Sequence, residues 1–201
     1  MRDITKEEII LENDRVLLRP LLTEDSPNLL YFSENEPSIW EYSLVKPEGG
    51  LKALDHYINL TYQQRIAGKE YPFIVFDKKT NDYAGCTRFY DINTASNSAQ
   101  LGYTWYGINY QRTGLNRNCK KLLLEFAFEE WGLDRVEFRA DANNKRSIQA
   151  MKDIGCTVEG ILRSHMPLVR DPTTRRDTII LSILKHEWFA TVKRRLSARI
   201  Y

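Results

Sequence analysis

The chain has 201 residues, and its 29 Lys and Arg against 27 Asp and Glu leave a formal net charge of +2. That near-balance gives no footing to nucleic-acid or membrane-surface binding driven by bulk charge. With 42% hydrophobic and 11% aromatic residues the composition excludes a disordered or fibrous chain, and no apolar run approaches the ~18–20 residues of a membrane helix. The length suits one domain, residues 1–201.

Met1–Glu8 is acidic where a secretion signal would be basic and then apolar. The three cysteines, Cys86, Cys119 and Cys156, are widely spaced and odd in number, so buried thiols in a cytoplasmic protein are expected. Arg15–Leu21 reads as a first strand. Thr23 then opens a short helix, with Glu24 and Asp25 in its first turn, where the dipole favours acids. Residues 49–68 are predicted helical, because Leu51, Leu54, Ile58 and Tyr62 form one stripe that Gly68 ends. Strands follow at Pro72–Asp77, Tyr83–Asp91 and Ala99–Tyr106.

The strongest helix is predicted over Leu115–Trp131. Leu115, Cys119, Leu122, Leu123 and Phe126 share one face, Lys120, Lys121, Glu125 and Glu129 take the remaining surface, and Gly132 stops it. Arg135–Ala140 reads as a buried strand. A helix from Asn144 to Gly155, strands at Thr157–Arg163 and Thr178–Leu184, and a helix from Lys185 complete the chain, with the polar run Arg170–Asp177 as a connection. The expected class is mixed α/β (α+β), a sheet flanked by helices.

The segment Tyr110-Gln111-Arg112-Thr113-Gly114-Leu115-Asn116 joins a strand to that strong helix. A strand, a glycine turn and a helix N-terminus together suit an anion, since the first helical N–H groups lack partners and carry the positive end of the dipole. Arg112, Arg117, Lys120 and Lys121 add positive charge. The loop lacks the Gly-Lys-Ser/Thr ending of a P-loop and the three glycines of a dinucleotide fingerprint. A plain strand–turn–helix junction is the alternative reading of the loop alone.

Four segments in order, Gly102–Tyr106, Tyr110–Asn116, Asp141–Ser147 and Gly155–Arg163, resemble the GNAT acetyltransferase superfamily, most of all its RimJ/RimL-like branch. Arg176-Asp177 and Glu187-Trp188 also match that branch, and the resemblance spans residues 13–190. It implies a central, mostly antiparallel sheet with a splayed strand pair and helices on both faces, and acetyl-CoA in the wedge. The diphosphate would rest on the N–H groups of Arg112, Thr113, Gly114, Leu115 and Asn116, with Gln111 also among the cofactor-binding residues, and the pantetheine arm would pair with Thr104, Trp105 and Tyr106 like an added strand. Asn144 and Ser147 fall on the Asn-x-x-Ser positions beside the pantetheine and sulfur, though Asn144 also reads as a helix N-cap with Ser147 as its partner.

The implied reaction is attack of a neutral amine on a thioester, with a backbone N–H of the Thr104–Tyr106 strand stabilising the oxyanion. Deprotonating an α-amine of pKa about 7.7–8.0 costs only about 1–1.4 kcal/mol at pH 7, whereas a lysine amine costs over three times as much. That difference bears on this chain because Gln100 stands where the family often has a glutamate base; Asp141 and Glu159 remain as candidates. Met151 replaces the tyrosine that commonly protonates the leaving sulfur, which leaves Ser147 as first stand-in and Tyr103 as second. After Asn116 the branch pattern Thr-Glu-Ala-Lys is here Arg117-Asn118-Cys119-Lys120.

His56, His165 and His186 show no metal-ligand spacing, so no metal is expected. Trp40, Tyr42, Tyr57 and Tyr62 enrich the segment that walls the acceptor pocket in the superfamily, and core packing explains them equally well. The expected protein transfers acetyl from acetyl-CoA to an amine acceptor, either a peptide N-terminus as in ribosomal-protein types or a small molecule, with no membrane or nucleic-acid partner. A silent acyl-CoA-binding regulator, a small-amine or antibiotic acetyltransferase and a homodimeric assembly stay open.

Overall fold

In the computed structural model, residues 3–168 and 171–200 are described. The strands are β1 (Leu11–Glu12), β2 (Val16–Pro20), β3 (Tyr71–Asp77), β4 (Asp82–Asn93), β5 (Ser98–Tyr106), β6 (Arg135–Asp141), β7 (Thr157–Leu168) and β8 (Asp171–Leu184). The helices are α1 (Ser26–Asn35), α2 (Leu51–Ile66), α3 (Leu115–Glu125), α4 (Lys145–Asp153), α5 (Lys185–Glu187) and α6 (Lys193–Ser197). Among the described residues no helix is long and apolar enough to cross a membrane.

The strands form one sheet in the order β1-β2-β3-β4-β5-β6-β8-β7. Every neighbouring pair is antiparallel except β5 and β6, which run parallel. In β3, Phe73 and Val75 bury into one core while Ile74 buries into the other. This is the pattern of a strand covered on both faces. One core takes its helical share from Leu115, Cys119 and Leu123 of α3, Met151 of α4 and Trp188; the other takes Leu29 and Phe32 of α1, Leu54 and Ile58 of α2, and Trp40. Each such fully buried side chain contributes about 1.5–3 kcal/mol through removal from water.

The parallel pairing of β5 with β6 covers only Ser98↔Arg135, Ala99↔Val136 and Gln100↔Glu137. Beyond it, β5 continues to Tyr106 still paired to β4, and β6 continues to Asp141 still paired to β8. The two strands diverge, and the edge of β5 from Leu101 onward that faces β6 is unpaired.

The predicted Leu115–Trp131 helix is regular only to Glu125. Phe126–Glu130 forms a wider turn closed by the Trp131 N–H on the Phe126 carbonyl at 2.8 Å. Phe126 there stacks on Trp131 and Phe128 on Trp188, so aromatics on two sides of the helix end are both covered. The same geometry recurs at Trp188–Val192, between α5 and α6. β7 and β8 extend well past their predicted ends, because main-chain pairing of Met166 with Arg176 and Pro167 with Arg175 needs no apolar alternation. Arg170 of the predicted connection lies outside the described residues.

Candidate active site

The divergence of β5 and β6 opens a cleft of about 1070 Å³ walled by β5, β6, α4 and the start of α3. At one end the chain turns from β5 into α3. Ile108–Tyr110 makes a single tight turn, and Arg112 and Gly114 both take left-handed backbone, at φ 62° and 88°. Glycine is suited to that conformation; at Arg112 it is strained. The N–H groups of Arg117 and Asn118 bond the Gly114 carbonyl, but among the described residues those of Arg112, Thr113, Gly114 and Asn116 meet no acceptor. Alternating left-handed residues that leave amides free make an anion nest at the positive end of a helix.

Of the loop residues singled out in the sequence, Gln111, Arg112, Gly114 and Asn116 line the cleft, and Thr113 and Leu115 do not. The Thr113 hydroxyl donates to the Tyr110 carbonyl at 2.8 Å and accepts from the Leu115 N–H at 3.4 Å, and the Leu115 side chain is buried in the core, so of these two only the Thr113 N–H is on offer. The Asn116 carbonyl oxygen Oδ1 is buried with no partner. Gln111 donates to the Tyr106 carbonyl at 2.9 Å and accepts from Arg146 at 2.7 Å, tying the end of β5 to α4.

Along β5, Thr104, Trp105 and Tyr106 all border the cleft. Trp105 and Tyr106 commit their side chains to opposite cores, which leaves their main chain toward the gap. The register against β4 jumps from Arg88↔Gly102 to Cys86↔Trp105, a bulge at Tyr103 and Thr104. Tyr103 sits in it at φ 47°. Opposite that stretch β4 has Gly85, where a Cβ would lie 2.1 Å from the Trp105 carbonyl oxygen; only glycine permits so close an approach.

Across the gap, the Asn144 side chain accepts from the Ser147 N–H at 3.0 Å and caps α4. The capping reading of this pair therefore holds, and both residues also line the cleft, Ser147 one turn from Met151. No described residue bonds the Ser147 hydroxyl.

The far end of the cleft joins Gln100, Asp141 and Tyr42, marked in the sequence, to Glu70, Arg88, Tyr90, Asp91 and Arg139, which sequence reasoning missed. Gln100 donates from Nε2 to the Asp91 carboxylate at 2.8 Å, while its Oε1 is buried without a partner. Glu70 is ion-paired to Arg88 at 2.7 Å, and burial raises its pKa, helped by the nearby Asp91 charge and opposed by Arg88. The Arg88 guanidinium lies 3.6 Å from the centre of the Tyr103 ring, and Tyr90 packs edge-on against that ring at 4.8 Å. Arg139, Asp141 and Arg176 close this end with Glu41 and Tyr42. Burial lowers the Arg176 pKa, with the Asp141 charge acting against it.

Other residues that the sequence marks as candidates take different places. Glu159 lies outside the cleft, bonded to Arg135 and, at 2.5 Å, to Ser182; the Arg135 hydrogen bonds hold its pKa down at about 2. It ties β7 to its neighbours. Asp141 is buried and accepts from the Asn143 N–H at 2.8 Å in the turn entering α4. Trp40 and Tyr57 are core residues, Tyr42 lines the cleft, and His165 does not line it but bonds Thr178, which does. Lys120, predicted on the exposed surface of α3, is buried, and Lys121 is bound to Glu125 at 2.7 Å. Helical periodicity separates apolar from polar faces and gives no sign that one lysine on the border turns inward.

The acetyltransferase (GNAT) domain model matches residues 15–157. The chain belongs to this family, and it is an acetyl-CoA-dependent acetyltransferase. It is 23% identical over 178 residues to an uncharacterised N-acetyltransferase, p20, of Bacillus licheniformis, covering 89% of this chain and 97% of that one. To the spermidine N(1)-acetyltransferase of Escherichia coli K12 it is 26% identical over 179 residues, covering 89% and 90%. A GCN5-related N-acetyltransferase of Brucella melitensis shares the fold with a TM-score of 0.87 at 24% identity, covering 96% of this chain and 86% of that one.

Proposed function

We propose that the cleft takes acetyl-CoA with its diphosphate on the free amides between Arg112 and Asn116 and its pantetheine arm along Thr104–Tyr106, and passes the acetyl group to the α-amine of a peptide-like acceptor at the Glu70–Asp91–Gln100 end. On this reading the chain falls in the RimJ/RimL-like branch. The observation that carries it is the unpaired edge of β5 opening directly beside the amide nest. A pantetheine amide adds to such an edge as a strand does, and the unpartnered Asn116 Oδ1 at the same mouth offers it an acceptor.

The chain's own groups divide the chemistry. Rigid N–H groups of β5 stabilise the oxyanion. Asn144 and Ser147 contact the thioester end, and Tyr103, fixed in the bulge, sets where acetyl meets amine. The unpartnered Gln100 Oε1 accepts one N–H of the incoming amine, and Asp91, held by Gln100, takes the proton that Gln100 cannot. An α-amine needs only this modest help, since its neutral form costs about 1–1.4 kcal/mol at pH 7.

The charge pattern at the acceptor end favours a peptide terminus over a polyamine. A polyamine presents cations alone, which suits Glu41, Glu70, Asp91 and Asp141 but leaves Arg176 and the Glu137-paired Arg139 facing like charge; a peptide has carbonyl oxygens for both arginines. The relative named for spermidine makes the polyamine the second reading. The test is thiol release from acetyl-CoA across N-terminal peptides, polyamines and small amines. Turnover on peptides supports the proposal, turnover on polyamines alone replaces it with the second reading, and silence on all with intact acetyl-CoA binding would indicate a regulator.

A further inference from the structure

Lys120 stands in the second turn of α3 with 5% of its surface exposed. Its Nζ donates to the hydroxyls of Thr87, at 3.2 Å, and Thr104, at 2.7 Å. Those bonds use two of the three protons of an ammonium, and no described residue accepts the third. Among the described residues no carboxylate lies within ion-pair distance. The titratable groups around it are the thiols of Cys119, on its own helix, and Cys156, beyond α4. Burial pushes both thiols up, Cys119 to about 11, so both are neutral near pH 7. Desolvation brings Lys120 itself down to about 8. A buried cation without a counter-charge is costly, and an apolar side chain of that length would fill the place more stably.

This lysine borders the cleft together with Thr104, Ser147 and Met151, where β5, α3 and α4 meet. Cleavage of a thioester at that place leaves a negative group on sulfur, the departing thiolate, beside the oxyanion that the β5 amides serve. Met151 has no proton to give, and burial pushes the Tyr103 hydroxyl up and makes it a poorer acid.

We propose that Lys120 is the acid that serves the departing CoA thiolate, an inference that rests on acetyl transfer taking place in this cleft. As the acceptor nitrogen closes its bond to the acetyl carbon, the C–S bond breaks and its electron pair stays on sulfur. One proton moves from Lys120 Nζ to sulfur, giving the free thiol and a neutral amine. The proton shed by the acceptor nitrogen leaves through Asp91 to water, and Lys120 regains one from water before the next turnover. The Thr87 and Thr104 hydroxyls hold Nζ in both states, accepting its two remaining N–H groups before and after the transfer, while the lone pair left on nitrogen faces the sulfur. An alkyl thiol, of ordinary pKa about 8.5, is closely matched to such a donor.

The experiment compares the full chain with Lys120→Met and Lys120→Arg, using CoA, acetyl-CoA and an accepted amine. Lys120→Met is expected to keep its calorimetric Kd for acetyl-CoA, to lose about 100-fold or more in kcat, and to lose the fall in kcat/KM expected of the unaltered chain as pH rises through about 8. The thiolate absorbance of bound CoA reads the placement without turnover: the bound thiol titrates lower in the unaltered chain than in Lys120→Met by about one unit or more. Lys120→Arg, which keeps the charge but cannot lend a proton, lowers the bound thiol pKa without restoring kcat. Lys120→Gln, which can still donate to the Thr87 and Thr104 hydroxyls but carries neither the charge nor a proton to lend, gives the same readouts should Lys120→Met fail to fold. An unchanged bound-thiol pKa, a defect confined to Kd, or full kcat in Lys120→Arg overturns the proposal. A chain that binds no CoA overturns instead the reading on which it rests, and the flat binding isotherm tells the two failures apart.

Discussion

Tyr103 holds left-handed backbone in the middle of a strand, which costs a non-glycine residue on the order of 1–3 kcal/mol. The ring clamp of Arg88 and Tyr90 supplies the compensation, and Arg88 is itself fixed by Glu70. One bulge therefore links the β5 edge to Glu70 and Asp91, the carboxylates proposed to receive the amine. Gln100 is the partner that keeps one of them, Asp91, in place. Gln100→Glu would put a second carboxylate within hydrogen-bond distance of the first, and like charges raise one pKa of such a pair. The acid limb of kcat/KM against pH is expected to move upward by about 1–3 units; a limb that stays put removes Asp91 from proton transfer. Asn144 makes the opposite kind of contribution, since its carbonyl group caps α4. Asn144→Ala should lower stability by about 1 kcal/mol in denaturant titration and raise KM for acetyl-CoA.

Among the elements, β7 and β8 are joined to β6 by the Arg135–Glu159–Ser182 cluster. The folded Glu159 pKa of about 2 is depressed from the ordinary 4.5. Its contribution is thus complete above pH 4.5 and disappears as pH falls toward 2. The side chain is 38% exposed, so solvent screening keeps that contribution small. The expected result is a melting temperature that drops more steeply for the unaltered chain than for Glu159→Gln between those pH values, with the two curves converging at the acid end.

The element scale also shows what the sequence could disclose. β2, β3 and the apolar face of α3 follow from alternation and helical period, and the nest is legible because one glycine marks the entry to a strongly amphipathic helix. The β7–β8 hairpin exceeds its expected length because its outer half pairs polar backbone in solvent. At the far end of the cleft the sequence marks Gln100 and Asp141 but not the groups they meet, for a different reason. Glu70, Arg88, Asp91 and Gln100 come from the approach to β3, from β4 and from β5, and their meeting depends on strand register and on a bulge. Lys120 is legible as a residue, but its environment is set by the side chains of two strands that helical periodicity does not register.

On the scale of the whole molecule, α1 and α2 cover β3 and β4 on one face while α3, α4 and the last helix cover the other. A ligand that binds only this folded arrangement stabilises it by mass action, about 2.7 kcal/mol at one hundred times its Kd. For a chain of this size that corresponds to a rise in melting temperature of roughly 5–10 °C, measurable by calorimetry with acetyl-CoA. Asn144→Ala and substitutions in the nest should reduce the rise, whereas Glu159→Gln should leave it intact.

The three-residue ladder between β5 and β6 has a mechanical consequence. It is a short spine on which two larger leaves of sheet are hung, and a bound pantetheine would bridge the leaves further along the gap. Hydrogen exchange at Leu101–Tyr106 and Phe138–Asp141 should then slow together when CoA is added, both leaves stiffening as one, while the β2–β3 amides keep their rates. Occupancy of the pocket would in that sense finish the architecture as well as use it.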